Sequence, residues 1–318
     1  MSTYQIKDLK LTARMICQEM VSRGVEVEVI NRDPSLVRYR VNDNWRFLHS
    51  VISEHSSAMA ATIADNKLLS AKVFELYGWN HPETAIYTDD RALEEFIEAN
   101  KRIVIKPLDS AHGHGVSVDI DNLEDAKLAI SKARKFSERI LLQQMVEGED
   151  YRLTCIDGKF VAAMKRTPAS VVGDGKSTVA ELIDIENQHP NRGGYEKPLL
   201  KISAEGASDY IGSDNMSRVP SLGETVRLAG PANISLGGSV VDATDEVSED
   251  MIRTAEDVAS KLNMGICGVD FLWNQPNPAH LIEININPGI SSHDIEFMGQ
   301  SRNVIKSAVD YLIANDNK

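Results

Sequence analysis

The sequence predicts a chain of mixed helix and strand, built as α+β subdomains behind a short N-terminal α/β unit. Three observations carry that reading. Residues 85–144 alternate between period-two and helical patterning. Residues 8–48 read as one helix followed by a strand and a hairpin. Near the far end, Gly265–Gly289 places two apolar runs on either side of an Asn/Pro turn, Asn274–Pro278.

Taken in order, Leu9, Ala13, Ile16, Cys17 and Met20 recur at helical spacing over residues 8–23, and Gly24 closes the helix. Val25, Val27 and Val29 predict a strand, and Asn42-Asp43-Asn44 a turn between Val37–Tyr39 and Arg46–Leu48. Ser56-Ser57 caps a predicted helix through Ala64; Asp65 or Asn66 caps the next, which ends at Tyr77-Gly78. Lys67 falls in its first turn, where a solvated lysine is the ordinary expectation. Ala85–Tyr87 reads as strand, Arg91–Asn100 as helix and Ile103–Ile105 as strand ending in Lys106-Pro107. The loop Asp109–Gly115 leads into Val116–Ile120, a helix from Asn122 and the strand Ile140–Gln143. A lysine at a strand end before a glycine-bearing loop suits a flap over phosphates, and equally a plain hairpin.

The hairpin at Gly265–Gly289 holds the sharpest chemical pattern. Ile282, Ile284 and Ile286 alternate with Glu283, Asn285 and Asn287, and Asp270 is a lone charge in an apolar strand. A carboxylate in such a strand must be paired or bound to a metal. Carboxylates with an amide oxygen suit a hard cation such as Mg²⁺.

Composition sets bounds. With 318 residues, 42% hydrophobic and 25% charged, the chain can bury a core shared by two or three subdomains. A net charge of −13 without a Lys/Arg cluster disfavours nucleic acid. Cys17, Cys155 and Cys267 have no metal-ligand spacing and predict buried reduced thiols. The N-terminus lacks an apolar signal core and no run reaches membrane-spanning length, so a cytoplasmic protein without membrane contact is expected.

Two loops need a decision. Val171–Thr178 (VVGDGKST) invites a phosphate-loop reading, but Ser170 stands where the first glycine belongs and Asp174 adds a negative charge; that reading is rejected. Ala229–Val240, with Asn233, Ser235, Gly237 and Gly238, suits either a substrate loop or a turn. No nucleophile elbow or HExxH helix occurs.

In their order and separations, these elements resemble the ATP-grasp superfamily of carboxylate–amine ligases. The residues concerned are Lys67 after Ala64-Asp65-Asn66, Lys106 before the glycine loop, LLQQMVEGEDYR (Leu141–Arg152), and Asp270 with Glu283-x-Asn285. IADNKLLS (Ile63–Ser70), KPLDSAHGHGVSVDI (Lys106–Ile120), RTPASVVGDGKSTVAELI (Arg166–Ile183), NISLGGSVVDATDEV (Asn233–Val247) and GICGVDF (Gly265–Phe271) are similar to the ATP-grasp part of cyanophycin synthetases and bifunctional glutathione synthetases. The likeness covers about residues 53–315; the second halves of those enzymes, Mur-ligase-like and glutamate–cysteine ligase respectively, are not expected here.

The resemblance implies an ATP-grasp fold, with nucleotide between a small lid subdomain (65–144) and a large subdomain (145–318) that carries a loop-rich insertion at about 170–240, after an N-terminal unit (1–64). It implies ATP with Mg²⁺, or Mn²⁺ in its place. Lys67 and Lys106 would hold phosphates, with Ser110, His112, Gly113 and Gly115 in the flap. Gln143, Gln144, Met145 and Val146 would line the adenine edge, Gln143 accepting from the adenine amino group, and Asp150 would accept from ribose hydroxyls. Asp270, Glu283 and Asn285 would ligate the metal. Arg152 and Arg166 would stabilise phosphoryl charge or grip a substrate carboxylate. Asn233, Ser235, Gly237 and Gly238 would line the substrate pocket, with Asn287 in the turn opening toward it. The implied reaction joins an amino-acid or peptide carboxylate to an amine through an acyl phosphate; the alternative is an ATP-grasp small-molecule kinase. A homo-oligomer is expected by the same likeness.

Overall fold

A computed structural model describes residues 4–109 and 115–315; the flap positions Ser110, His112 and Gly113 lie outside the described residues. Helix α1 (Leu11–Ser22) buries Ala13, Ile16, Cys17 and Met20 on one stripe, and Gly24 ends it with φ of 80°. It packs on an antiparallel sheet of β1 (Glu26–Asn31), β2 (Leu36–Val41), β3 (Asn44–His49) and β4 (Ile52–Ser53). The β2–β3 turn is Asn42-Asp43, both with positive φ, as a tight two-residue hairpin demands.

Next come α2 (Ala58–Ala64) and α3 (Lys67–Tyr77). Ser57 caps α2 by accepting from the Ala60 N–H at 3.2 Å. Asn66 caps α3 by accepting from Leu68 and Leu69, which fixes Lys67 as its first residue.

A second sheet, in the order β5-β8-β6-β7, comprises β5 (Thr84–Ile86), β6 (Ile103–Pro107), β7 (Ser117–Ile120) and β8 (Ile140–Gln144). Helices α4 (Asp90–Asn100) and α5 (Leu123–Ala133) cover one face and bury Leu93, Phe96, Ala126 and Ile130 against Ile103, Ile105 and Leu142.

The central sheet joins β9 (Glu149–Ile156) and β10 (Lys159–Thr167) to later strands. Between β10 and those strands lies a small lobe with its own apolar cluster. It contains β11 (Ser170–Val172), α6 (Val179–Asn187), β12 (Arg192–Gly193), β13 (Leu199–Leu200), α7 (Ala204–Ile211), α8 (Ser213–Met216) and β14 (Thr225–Arg227). Then follow β15 (Ser239–Asp242), α9 (Glu249–Lys261), β16 (Ile266–Trp273), β17 (His280–Asn285) and α10 (Val304–Asn315). The sheet order is β15-β10-β9-β16-β17, all antiparallel.

α9 packs on one face of this sheet; α1, the first sheet and α10 contribute to the core on the other. The N-terminal unit thus shares one core with the end of the chain, because four short strands and one helix bury too little alone. Cys17, Cys155 and Cys267 are free and buried, as expected. Among the described residues no helix is long and apolar enough to cross a membrane.

The hairpin β16–β17 departs from the strict alternation expected. Asp270 pairs with Glu283, yet Phe271 pairs with Leu281, so Ile282 is an extra residue in a β-bulge. Leu281 and Ile284 go to the core, and Ile282 is turned into the cleft beside Glu283.

Candidate active site

A cleft of about 2040 Å³ lies between the β5–β8 sheet and the central sheet, walled also by the N-terminal unit and the small lobe. Single-ligand pockets run to about 1,000 Å³, so this one has room for a nucleotide and further substrate together. Lys67, Lys106, Gly115, Gln143, Gln144, Met145, Val146, Asp150, Arg152, Arg166, Asp270, Glu283, Asn285 and Asn287 all line it, although they come from segments far apart in sequence.

Strand pairing explains the convergence. β9 lies between β10 and β16, and its register sets Arg152 opposite Asp270 on one side and Asp150 opposite Arg166 on the other. Asp270, 2% exposed, receives both arms of the Arg152 fork: Nε donates to Oδ1 and a terminal nitrogen to Oδ2, each at 2.7 Å. Arg166 bridges the two carboxylates, donating to Asp270 Oδ2 at 2.9 Å and to Asp150 Oδ1 at 2.6 Å. Burial works against the Asp270 anion, but the arginines prevail and hold its carboxyl below the usual range. Asp150 has less help: burial outweighs Arg166, and nearby Asp270 adds repulsion, pushing it up to about 6. Burial likewise works against the charged Arg152, yet Asp270 raises its pKa above the ordinary arginine value. Both arginines are therefore parts of a buried charge network and not surface groups.

This network depends on a glycine to which the sequence reading gave no role. A Cβ on Gly268 would sit 3.1 Å from Arg152 Cδ, 3.2 Å from its Nε and 3.3 Å from Pro288 Cβ. The sequence signal is a glycine inside an otherwise apolar strand, which marks close approach of another group. His293 was also missed. It is 3% exposed, its Nε2 lies 2.8 Å from Thr154 Oγ1, and its Nδ1 has no partner among the described residues. Burial pulls its pKa down to about 4, so it is neutral behind Arg152.

Opposite this wall, Lys106 comes off β6 and donates to Gln143 Oε1 at 2.8 Å, while Gln143 Nε2 donates to Thr84 Oγ1 at 3.1 Å. The Gln143 amide oxygen thus accepts from the lysine and keeps a second lone pair, on a residue that lines the cleft. Thr84 pairs with Gln143 across β5 and β8, and Lys106 lies diagonally from Gln143 on β6, two residues beyond its partner Val104. The Val146 N–H, just beyond β8, is accepted by no described residue and so is open to a ligand. Burial and the positive charge of Lys67 lower Lys106 to about 8, partly offset by Glu283. Those causes place two cations and one carboxylate in a single electrostatic neighbourhood.

Glu283 is exposed and stands directly across from Asp270. Asn285 is opposite Gly268, on the same strand face, and its Oδ1 accepts from the Asn287 N–H at 2.8 Å. As a donor set for a hard cation, all three offer oxygen, and Asp270 Oδ1 and Asn285 Oδ1 each accept one hydrogen bond among the described residues and retain a lone pair. The residues fit Mg²⁺. Asn287 Oδ1 accepts from the Val51 N–H at 3.4 Å, a clasp between the hairpin exit and the N-terminal unit.

In the small lobe, Asn233 and Ser235 reach the cleft wall, whereas Gly237 and Gly238 are buried behind it. A Cβ on Gly237 would meet Ile202 Cα at 2.7 Å, and one on Gly238 the Thr167 carbonyl at 2.7 Å. These glycines serve close packing, not lining. The VVGDGKST loop answers the phosphate-loop question directly. Asp174 accepts from the Lys176 and Ser177 N–H groups at 2.8 and 2.7 Å, so its own carboxylate occupies the anion position.

Comparison with known proteins agrees with this geometry. Residues 66–181 match the family model of the prokaryotic glutathione synthetase ATP-grasp domain. Cyanophycin synthetase of Trichormus variabilis is 33% identical over 295 residues, covering 88% of this chain and 32% of that protein. The glutathione biosynthesis bifunctional protein GshAB of Pasteurella multocida is 26% identical, covering 96% of this chain and 43% of the other. The chain thus spans a third to two fifths of these relatives. The crystal structure of a bifunctional glutathione synthetase from Pasteurella multocida superposes with a TM-score of 0.70 at 25% identity, over 98% of this chain and 44% of that one. A D-alanine–D-alanine ligase from Bacillus anthracis shares the fold, with a TM-score of 0.51 at 13% identity, over 81% of this chain and 69% of that one. The chain carries an ATP-grasp fold, as the sequence resemblance implied.

Proposed function

We propose that the protein is an ATP-dependent carboxylate–amine ligase, forming an amide (peptide or isopeptide) bond between an amino-acid or peptide carboxylate and an amine and releasing ADP and phosphate. The observation that carries this is the facing of two walls across one cleft: Lys67 and Lys106 on one side, Asp270 between Arg152 and Arg166 with Glu283 on the other. A carboxylate has no leaving group at neutral pH, and transfer of the γ-phosphoryl group supplies one. That transfer needs positioning and charge neutralisation more than covalent help from the protein, which agrees with a wall of cations and no nucleophile elbow.

In this reading Lys106, braced by Gln143, binds the α- and β-phosphates, and Lys67 adds charge nearby. The Val146 N–H faces the adenine edge, with Gln143, Gln144 and Met145 alongside. Asp150 accepts from ribose hydroxyls once Arg166 turns toward phosphate. Asp270, Glu283 and Asn285 would hold Mg²⁺ (or Mn²⁺), which would supply positive charge to offset that of the phosphates. Arg152 and Arg166 stabilise the transferring phosphoryl group. The segment 109–115 covers the triphosphate and excludes water, which would otherwise hydrolyse the acyl phosphate. Asn233 and Ser235 line the substrate pocket, beside the turn at Asn287. The proposed division is an N-terminal unit 1–64, a lid 65–144 and a large subdomain 145–318. We further propose a cytoplasmic, homo-oligomeric enzyme acting on small molecules and not on nucleic acid.

The test is ADP release with mixtures of amino acids and dipeptides, with product analysis. An amide accompanied by ADP and phosphate supports the ligase. A stable phosphorylated small molecule, formed without any amine, would assign a kinase instead.

A further inference from the structure

A short strap joins the small lobe to the N-terminal unit. Between β12 and β13, residues 194–198 make a tight turn: the Gly194 N–H donates to Glu196 Oε1 at 3.1 Å, and the Lys197 N–H to the Gly194 carbonyl at 2.9 Å. The turn docks on the start of α1. The Leu11 N–H donates to the Tyr195 carbonyl at 3.0 Å, and a terminal nitrogen of Arg14 donates to the Glu196 carbonyl at 2.9 Å. The Lys10 ammonium lies 4.6 Å from the centre of the Tyr195 ring. Lys10, Leu11, Tyr195 and Lys197 all line the cleft, so this junction is part of its wall.

At the root of the strap stands Arg192, a buried cation to which the proposed reaction assigns no role. It is 8% exposed and lies behind the cleft lining. One of its terminal nitrogens donates to two backbone carbonyls, those of Leu200 and Gly237, each at 2.9 Å. Its Nε donates to Glu186 Oε1 at 2.9 Å. A buried guanidinium is costly unless its donors are satisfied, so these bonds fix where it sits. Gly237 ends the 3-10 turn Ile234–Leu236, which carries Ser235 and is preceded by Asn233, both at the cleft wall. The Leu200 carbonyl belongs to β13, which pairs with β12 and packs on that turn. One guanidinium therefore ties the strap to the turn that carries the proposed substrate-lining residues.

We propose that Arg192 is a positioning residue for substrate: it sets the wall of Asn233 and Ser235 and, through the strap, locks that wall to α1. The inference rests on the ligase reading and says where its substrate is selected: in the small lobe and the N-terminal unit, apart from the nucleotide lysines Lys67 and Lys106. Lysine is no substitute at this position, because a single ammonium lacks the planar fork that reaches two carbonyls and a carboxylate together.

The first experiment is amide hydrogen exchange on the full-length chain without nucleotide. Arg192→Lys should quicken exchange at Leu11 about tenfold, the loss of one hydrogen bond to a charged group passed along the strap, while β9 and β16 keep the parent rates. The second is steady-state kinetics with the amino acid or dipeptide that drives ADP release. Arg192→Lys should raise its KM about tenfold and leave kcat and KM for ATP unchanged, the pattern of binding lost equally from ground and transition states. Arg14→Ala frees the strap at its other end and should raise the same KM, and the double variant should fall short of the product of the two effects. A Leu11 amide at the parent rate, a KM for ATP that rises with that of the substrate, or fully multiplicative effects would each overturn the proposal. Should Arg192→Lys not fold, Arg14→Ala reads the coupling from the opposite end. The Gly237 and Gly238 amides, bonded to the Ile234 and Asn233 carbonyls, should then exchange faster, and parent rates there would equally overturn it. Because exchange needs neither nucleotide nor turnover, its failure is distinct from failure of the ligase reading.

Discussion

Replacing Gly268 with alanine isolates what a single methyl group does to the charge network. In a strand, Gly→Ala alone favours folding by about 0.4–1 kcal/mol, because the unfolded chain loses freedom. Here the methyl would meet Arg152 Cδ, Arg152 Nε and Pro288 Cβ at 3.1–3.3 Å, closer than ordinary carbon contact. Arg152 cannot retreat without lengthening both 2.7 Å bonds to Asp270. Overpacking of this kind costs about 1–3 kcal/mol, so we expect net destabilisation of about 1–2 kcal/mol. Displacing the guanidinium should also cost turnover at least about tenfold, the result of roughly 1.4 kcal/mol lost from the transition state. Gly206→Ala is the control: its methyl would meet only Ser203, at 3.5 Å, within a helix that favours alanine. Urea denaturation and amine-dependent ADP release would be measured on both variants. A Gly268→Ala protein as stable and active as the parent would refute the claim that this glycine positions Arg152.

Further outcomes follow from the same geometry. Lys106, at about 8, is mostly charged below that pH and mostly neutral above it, so ATP affinity should fall about fivefold between pH 8 and 9, as expected for one required proton. Calorimetric titration should show this step in the parent and not in Lys106→Met, which binds weakly throughout; the same step in the variant would assign the titration to another group. Glu283→Gln should lower turnover by at least about a hundredfold with the melting temperature nearly unchanged, since Glu283 is exposed and its loss removes ligand charge from the cation site. Near-normal activity with the same Mg²⁺ dependence would remove it from the metal set. Asp174→Ala should lower thermal stability yet leave ATP affinity as it was, because the carboxylate caps its own loop. Hydrogen bonds from Ser177 and Lys176 hold the Asp174 carboxyl at about 2, so the stabilisation is present above the ordinary aspartate range and lost as pH falls through about 2.

Much of the local structure is determined by the sequence alone. Asn42-Asp43 makes a tight hairpin because both residues tolerate positive φ. Ser57, Asn66 and Asn122 start helices because their side chains accept N–H bonds that nothing else in the chain's vicinity would take. The oxygen-rich face of Glu283 and Asn285 follows from two-residue periodicity. What periodicity leaves undetermined is partner and register. Asp157-Gly158, both at positive φ, marks the β9–β10 turn, but no local signal sets the pairing of β10 with β15, some seventy residues on, or of β9 with β16, more than a hundred residues on. A shift of one residue in that register would turn Asp150, Arg152 and Arg166 away from Asp270. The bulge that sends Ile282 into the cleft, the contact between Lys106 and Gln143, and the meeting of α1 with Ser291 are of the same kind. Each depends on which segments lie side by side, and that is decided only when the whole core packs.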